Sequence, residues 1–107
     1  MRKIKAIIKR ADEPVGHVAW ISPTLENLQK HVGDYKKQTG GFIEKVKVRK
    51  DMVVLCNKEG MILGLPKNVR VYRYYFVGDI VILGVDGDEF TDVPITFSEY
   101  KEIIAEF

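Results

Sequence analysis

The chain is expected to adopt an α+β fold: a mainly antiparallel sheet of about six or seven strands with two helices packed on it. Three features support this. Short β-branched and aromatic runs recur along the sequence, and the first of them alternate between apolar and polar residues. Two other segments carry apolar residues at spacings of three and four behind a helix-start signal. One of these helices follows the first two strands and the other closes the chain, so the strand-rich middle lacks the regular strand–helix alternation of a parallel sheet. A chain of 107 residues, 46% hydrophobic and 30% charged, is expected to form a single domain spanning residues 1–107.

The elements follow in order. In "KIKAIIK", Ile4, Ala6 and Ile8 alternate with Lys3, Lys5 and Lys9, the pattern of a strand with one buried face. After the turn "ADEP", the run "VGHVAWI" (15–21) alternates again and completes a hairpin. Ser22-Pro23 then reads as a cap followed by proline at the first helical position, opening a helix with Leu25, Leu28 and Val32 on one stripe. Its end is left open between Gly33 and the glycines at 40 and 41. "GFIEKVKV" and "DMVVLCN" read as two strands joined at "RKD".

"VRVYRYYFV" and "DIVILGV" are two more strands, separated by Gly78-Asp79. Asp86-Gly87 predicts a tight turn into the short strand "EFTDV". In the closing helix Thr96 and Glu99 form a capping box and Ile95 staples to Tyr100. Phe97, Tyr100, Ile103, Ile104 and Phe107 make its expected buried stripe.

The stretch "CNKEGMILGLPKN" (56–68) places four apolar residues, Met61, Ile62, Leu63 and Leu65, between two sets of turn formers. It is expected to tuck those side chains back against the core.

Composition narrows the function. The longest apolar run, "YYFVGDIVILGV", is interrupted by Asp79 and is far shorter than the ~20 residues of a membrane span, so no membrane association is expected. "MRKIKAIIKR" becomes charged again before any signal core develops, and Cys56 is the sole cysteine. The expected location is a reducing cytoplasm. Residues 1–50 hold twelve Lys/Arg against five Asp/Glu, and residues 51–107 hold five against ten. That asymmetry fits basic strands pairing with acidic elements, or a nucleic-acid face.

No enzyme is expected. His17 lies in a strand and His31 on the polar side of the first helix, neither beside a nucleophile. One cysteine and two scattered histidines do not supply a zinc site, and "DGDE" (86–89) lacks the spacing of a calcium loop. Neither a metal nor another cofactor is expected.

The candidate binding residues are Arg70, Tyr72, Arg73 and Tyr74 on the aromatic strand 70–76, together with Asn57, Glu59 and Asn68 in the turns around the 56–68 stretch. Tyr35 and Lys37 in "DYKKQTG" complete the set. On a continuous strand, Arg70, Tyr72, Tyr74 and Phe76 would share one face and Arg73 and Tyr75 the other.

"LENLQKHVG", "GFIEKV", "VVLCNKEGMILGLPKN" and "VGDIVILG" resemble, in that order, the bacterial and phage domain-of-unknown-function family 3846, over roughly residues 4–106. The resemblance implies fold-defining roles for Leu28, Asn57, Glu59, Gly60, Leu65, Asn68, Gly78 and Gly84, and it brings no catalytic motif. "DYKKQTG" (34–40) looks inserted relative to that pattern.

The resemblance also implies a small product of a phage or mobile element. The expected function is therefore a non-enzymatic binding module that counteracts host defence by occupying a host protein or sequestering a small, nucleotide-like ligand. A homodimer is a further partner considered. The alternative is a nucleic-acid-binding accessory protein using the basic N-terminal hairpin (Lys3, Lys5, Lys9, Arg10) with Tyr72 and Tyr74 as stacking platforms.

Overall fold

The computed structural model describes residues 2–32 and 42–107. The end of the first helix, the "DYKKQTG" segment and the site candidates Tyr35 and Lys37 lie outside the described residues.

Strands β1 (Ile4–Lys9) and β2 (His17–Ile21) form the expected antiparallel hairpin, with Ile4 opposite Ile21 and Ile8 opposite His17. Helix α1 (Leu25–Val32) begins later than the sequence suggests. Its cap is Thr24, not Ser22: Thr24 Oγ1 accepts from the Asn27 backbone N–H at 3.2 Å, and Pro23 sits outside the helix. Threonine offers the same oxygen as serine two positions closer to the apolar stripe. Leu28 and Val32 are the buried members of that stripe.

The hairpin of β3 (Ile43–Arg49) and β4 (Met52–Asn57) follows. β5 (Lys67–Val71), β6 (Tyr74–Val77), β7 (Ile80–Asp86), β8 (Glu89–Thr91), α2 (Phe97–Ile103) and β9 (Ile104–Glu106) complete the chain. The α+β class holds, and every strand pair is antiparallel.

Six strands form the main sheet in the order β2-β1-β7-β4-β3, with β8 also pairing β7. β6, β5 and β9 make a second, three-stranded sheet. Alternation along β4 explains the layering. Met52, Val54 and Cys56 face a core shared with the small sheet and α2, whereas Val53 and Leu55 face a core shared with α1. β7 divides in the same way, with Ile80 and Ile82 on one side and Val81 and Leu83 on the other. Strands covered on both faces read as unbroken apolar runs. Each such side chain leaving water contributes about 1.5–3 kcal/mol, so β4 and β7 anchor both cores.

Among the described residues nine strands arise where the sequence suggests about six or seven, for two reasons. First, 70–76 is not one strand. Tyr72 adopts φ +52, and the chain folds back there, setting Val71 opposite Tyr74 and Arg70 opposite Tyr75. The shared face expected for Arg70, Tyr72, Tyr74 and Phe76 therefore does not exist. Second, the closing helix stops at Ile103. Ile104 turns extended (φ −101, ψ 153), and β9 pairs with β5 in place of a last helical turn. A β-branched residue at that point meets a strand edge that satisfies its backbone.

The start of α2 is as expected: Thr96 Oγ1 accepts from Glu99 N–H at 3.1 Å, and Glu99 Oε1 accepts from Thr96 N–H at 3.0 Å. Ile95 and Tyr100 are both buried in one core. The Tyr100 hydroxyl donates to the Val15 carbonyl, tying α2 to the approach to β2. No helix among the described residues is long and apolar enough to cross a membrane.

Candidate functional site

Polar side chains in the interior have structural partners. Lys9 is 4% exposed, and its ammonium donates to the Glu13 carbonyl at 2.6 Å, Asn68 Oδ1 at 2.8 Å and the Arg10 carbonyl at 3.2 Å. Burial lowers its pKa, against the pull of Glu13, Asp79 and Asp12. Asn68 in turn donates to the carbonyls of Lys9 (2.9 Å) and Gly78 (2.7 Å), locking β1 to the open end of the β5–β6 hairpin. Asn57 is also buried: its Nδ2 donates to the Val32 carbonyl at 3.1 Å at the end of α1, and its Oδ1 accepts from Glu59 N–H at 2.8 Å. Asn57 and Asn68 thus have their amides engaged within the fold, although Asn57 also lines the groove described below. Glu59 serves the same turn through its backbone.

The turn that follows Asn57 does the reverse of what its composition predicts. Leu63 N–H donates to the Glu59 carbonyl at 2.8 Å and Leu65 N–H to the Gly60 carbonyl at 2.9 Å, so the backbone closes on itself. Consecutive residues in such a turn fan out by about 100° each, and no single core face can receive three in a row. Leu65 is partly buried, but Met61 and Ile62 are 79% and 86% exposed, and Leu63 is also exposed. The segment is not tucked against the core.

Beside this turn runs an open groove of about 600 Å³. Val46 and Cys56 contribute to it from the main sheet, and all four residues of β6 line it. Tyr75 (62% exposed) and Phe107 (41%) complete the aromatic part, in edge-to-face contact at 5.1 Å between ring centres. Burial, followed by the nearby Glu44 carboxylate, pushes the Cys56 thiol up to about 11, so it is protonated and unreactive near neutrality.

The remaining candidates occupy this neighbourhood unevenly. Tyr74 lines the groove but is half-buried against the core, and Tyr72 packs on the core from the hairpin turn, its N–H donating to the Ile103 carbonyl at 2.9 Å. Arg73 lies over the Tyr74 ring at 5.4 Å. Arg70 stands on the outer face of the small sheet, flanked by Tyr75 and Ala105. Met61, Ile62, Tyr75 and Phe107 are the surface residues that the sequence reading missed. The signal for the first two was the run of three apolar residues inside a turn.

His17 pairs with Glu13 at 2.7 Å, while burial, followed by the charges of Arg10 and His17, lowers the pKa of half-buried His31. Among the described residues, no three His, Cys, Asp or Glu side chains gather as they would around a metal ion.

Fold and surface together define a small α+β domain, layered on both sides of one antiparallel sheet, with an apolar, open groove flanked by an exposed turn. The family model described as "Domain of unknown function (DUF3846)" matches residues 4–105, and the chain belongs to that family. No curated protein matches the chain. No solved structure matches it either.

Several positions named by the resemblance have local explanations. Leu28 is buried under α1. Gly78 has φ +72, and a Cβ there would come within 2.7 Å of Leu65 Cδ1. A Cβ at Gly84 would collide with the Asp92 carbonyl where the chain crosses back after β8.

Proposed function

We propose that this chain is a non-enzymatic binding module that docks a protein partner over the exposed turn and the groove beside β6. The observation that carries this reading is the run of apolar side chains held outward by a hydrogen-bonded turn, with Met61 and Ile62 largely in water and Met61 lining the groove together with Tyr75. Large exposed apolar groups grouped on one surface mark interaction sites. Enclosure and convergent polar groups, which a small nucleotide-like ligand would need, are less well supplied by an open, apolar groove. In the phage or mobile-element setting that the family resemblance implies, the partner is a host protein, and occupying it is the means of counteracting host defence.

The test combines gel filtration and native mass spectrometry of the protein mixed with bacterial host extract. A host protein should co-elute at fixed stoichiometry with the wild type and be lost with the double variant Met61→Ser/Ile62→Ser. Absence of any retained protein would overturn the reading. So would turnover of a metabolite that stops when one polar side chain is removed.

Nucleic-acid binding remains a second reading because the hairpin 67–77 carries Lys67, Arg70 and Arg73 and no carboxylate. Lys9, which that reading counted as a surface cation, is buried. Affinity for single-stranded DNA that fell steeply with salt would support it.

A further inference from the structure

The groove has a second property that identifies what fits it. β6 pairs only with β5 among the described residues, so its other edge is unpaired. All four of its consecutive residues line the groove, which places the strand's backbone along the groove wall. Strand edges in soluble proteins are commonly blunted by charge, and β3 follows that rule with Glu44, Lys45, Lys47 and Arg49. β6, Tyr-Tyr-Phe-Val, has no charge and no proline. An unprotected edge beside apolar positions provides both parts of strand addition: main-chain hydrogen bonds for affinity, and places for alternate side chains for selectivity.

Charge selects the occupant. Lys58 lines the groove, Lys67 stands over the Phe107 ring at 5.1 Å, and Arg73 lies over the Tyr74 ring at its end. None of these three cations is in an ion pair among the described residues, and Glu44 supplies the sole side-chain carboxylate among the groove-lining residues. We infer that the groove takes an extended, acidic segment of a partner protein, which adds as a strand to the free edge of β6 and sets apolar side chains toward Val46 and Cys56. This deepens the binding-module reading and rests on it.

The experiment uses the full chain, isotope-labelled, titrated at pH 7.5 with three eight-residue peptides and an oligonucleotide. The first peptide alternates glutamate with valine, the second alternates lysine with valine, and the third is the first with alternate amides N-methylated so that one edge cannot donate. The oligonucleotide is a single-stranded dT20. The acidic peptide should bind at least tenfold more tightly than the lysine peptide, shifting the amide resonances of Tyr74–Val77, and N-methylation should abolish this. The surface variant Lys67→Glu/Arg73→Glu should reverse the preference between the first two peptides.

Binding that ignores N-methylation, shifts that fall elsewhere, or no binding at millimolar peptide would overturn the inference. Binding of dT20 in place of the acidic peptide would overturn it in favour of nucleic acid. If a host protein is still retained by the wild type and lost with Met61→Ser/Ile62→Ser while the acidic peptide fails, the occupant is wrong and the module reading stands. If neither is seen, both fall.

Discussion

The inward polar groups, buried Lys9 and Asn57 with half-buried Asn68 bonded to Lys9, and the surface turn that carries Met61, Ile62 and Leu63 stand in opposite relation to water. The first places an amide and an ammonium inside, with a second amide half-buried, and the second places thioether and branched aliphatic side chains outside. Asn57 and the turn are adjacent in sequence, so neighbouring backbone supports both arrangements. The interior groups are stable because each is hydrogen-bonded within the chain. Exposed apolar groups have no comparable compensation within the monomer; apolar surface left in water forgoes about 25 cal/mol per Å². Polarity inside this protein therefore serves the fold, and apolarity outside is where a partner would be rewarded.

Removing the half-buried amide that ties β1 to the β5–β6 hairpin should have the largest effect. Asn68→Ala deletes three hydrogen bonds at once, leaving the carbonyls of Lys9 and Gly78 without that donor and the Lys9 ammonium short of an acceptor. Each unsatisfied buried group costs about 1–3 kcal/mol. Partial rescue by water sets the expected loss at about 3 kcal/mol, read from urea unfolding with an unchanged denaturant slope. A loss below about 1 kcal/mol would show that the cluster is incidental to stability, and the contrast drawn above would fail.

Cys56 lies between the two regions, at the groove but under the small sheet, and it gives the next effect. Its folded pKa is raised from 9.0 to about 11, chiefly by burial. A raised value means that the unfolded state releases its proton first. The stabilising contribution is thus present in full below pH 9 and is lost as pH climbs through about 11. That loss amounts to at most about 3 kcal/mol, reduced to the extent that solvent reaches the thiol, and should be missing from the same titration of Cys56→Ala. At pH 8 the native thiol should resist alkylation, and rapid labelling without unfolding would mean that the groove opens.

An exposed but hydrogen-bonded end of a helix provides the intermediate case. Thr96→Ala removes half of the capping box, leaving Glu99 N–H to water. The expected loss is about 1 kcal/mol in thermal or urea unfolding, smaller than at Asn68 because water can replace the lost acceptor. Equal losses at the two sites would mean that burial does not amplify polar contacts here.

Much of this arrangement could be read in the sequence wherever the pattern is local. Alternation in "KIKAIIK", the unbroken run "MVVLC" and the Thr96–Glu99 spacing each led to the element observed, although β1 is buried on both faces, with Ile7 in one core and Ile4, Ala6 and Ile8 in the other, where alternation implied one. Two kinds of information were not local. Tyr72 reverses the chain at a positive φ without glycine or asparagine to signal it, and a row of aromatic and β-branched residues reads as one strand. β9 and the Lys9–Asn68 bond depend on partners far along the chain, the latter 59 positions away. The candidate site was half-legible for the same reason. The turn residues were noticed, but whether they served the fold or faced solvent depended on contacts the sequence does not order.

The smallest stability effect is the most informative about function. Met61 and Ile62 project from a turn held by backbone hydrogen bonds, so replacing both with serine removes no native donor or acceptor and opens no cavity. Surface changes of this type shift stability by less than about 0.5 kcal/mol in either direction. Even a slight gain is reasonable, because apolar surface leaves water. Met61→Ser/Ile62→Ser should therefore match the wild type in urea unfolding while losing the retained host protein. If the variant lost 2 kcal/mol or more, the two side chains would be packing in solution against the domain itself. The outward apolar turn would then belong with the interior cluster as part of the fold, and the case for a partner at this surface would have to rest on β6 alone.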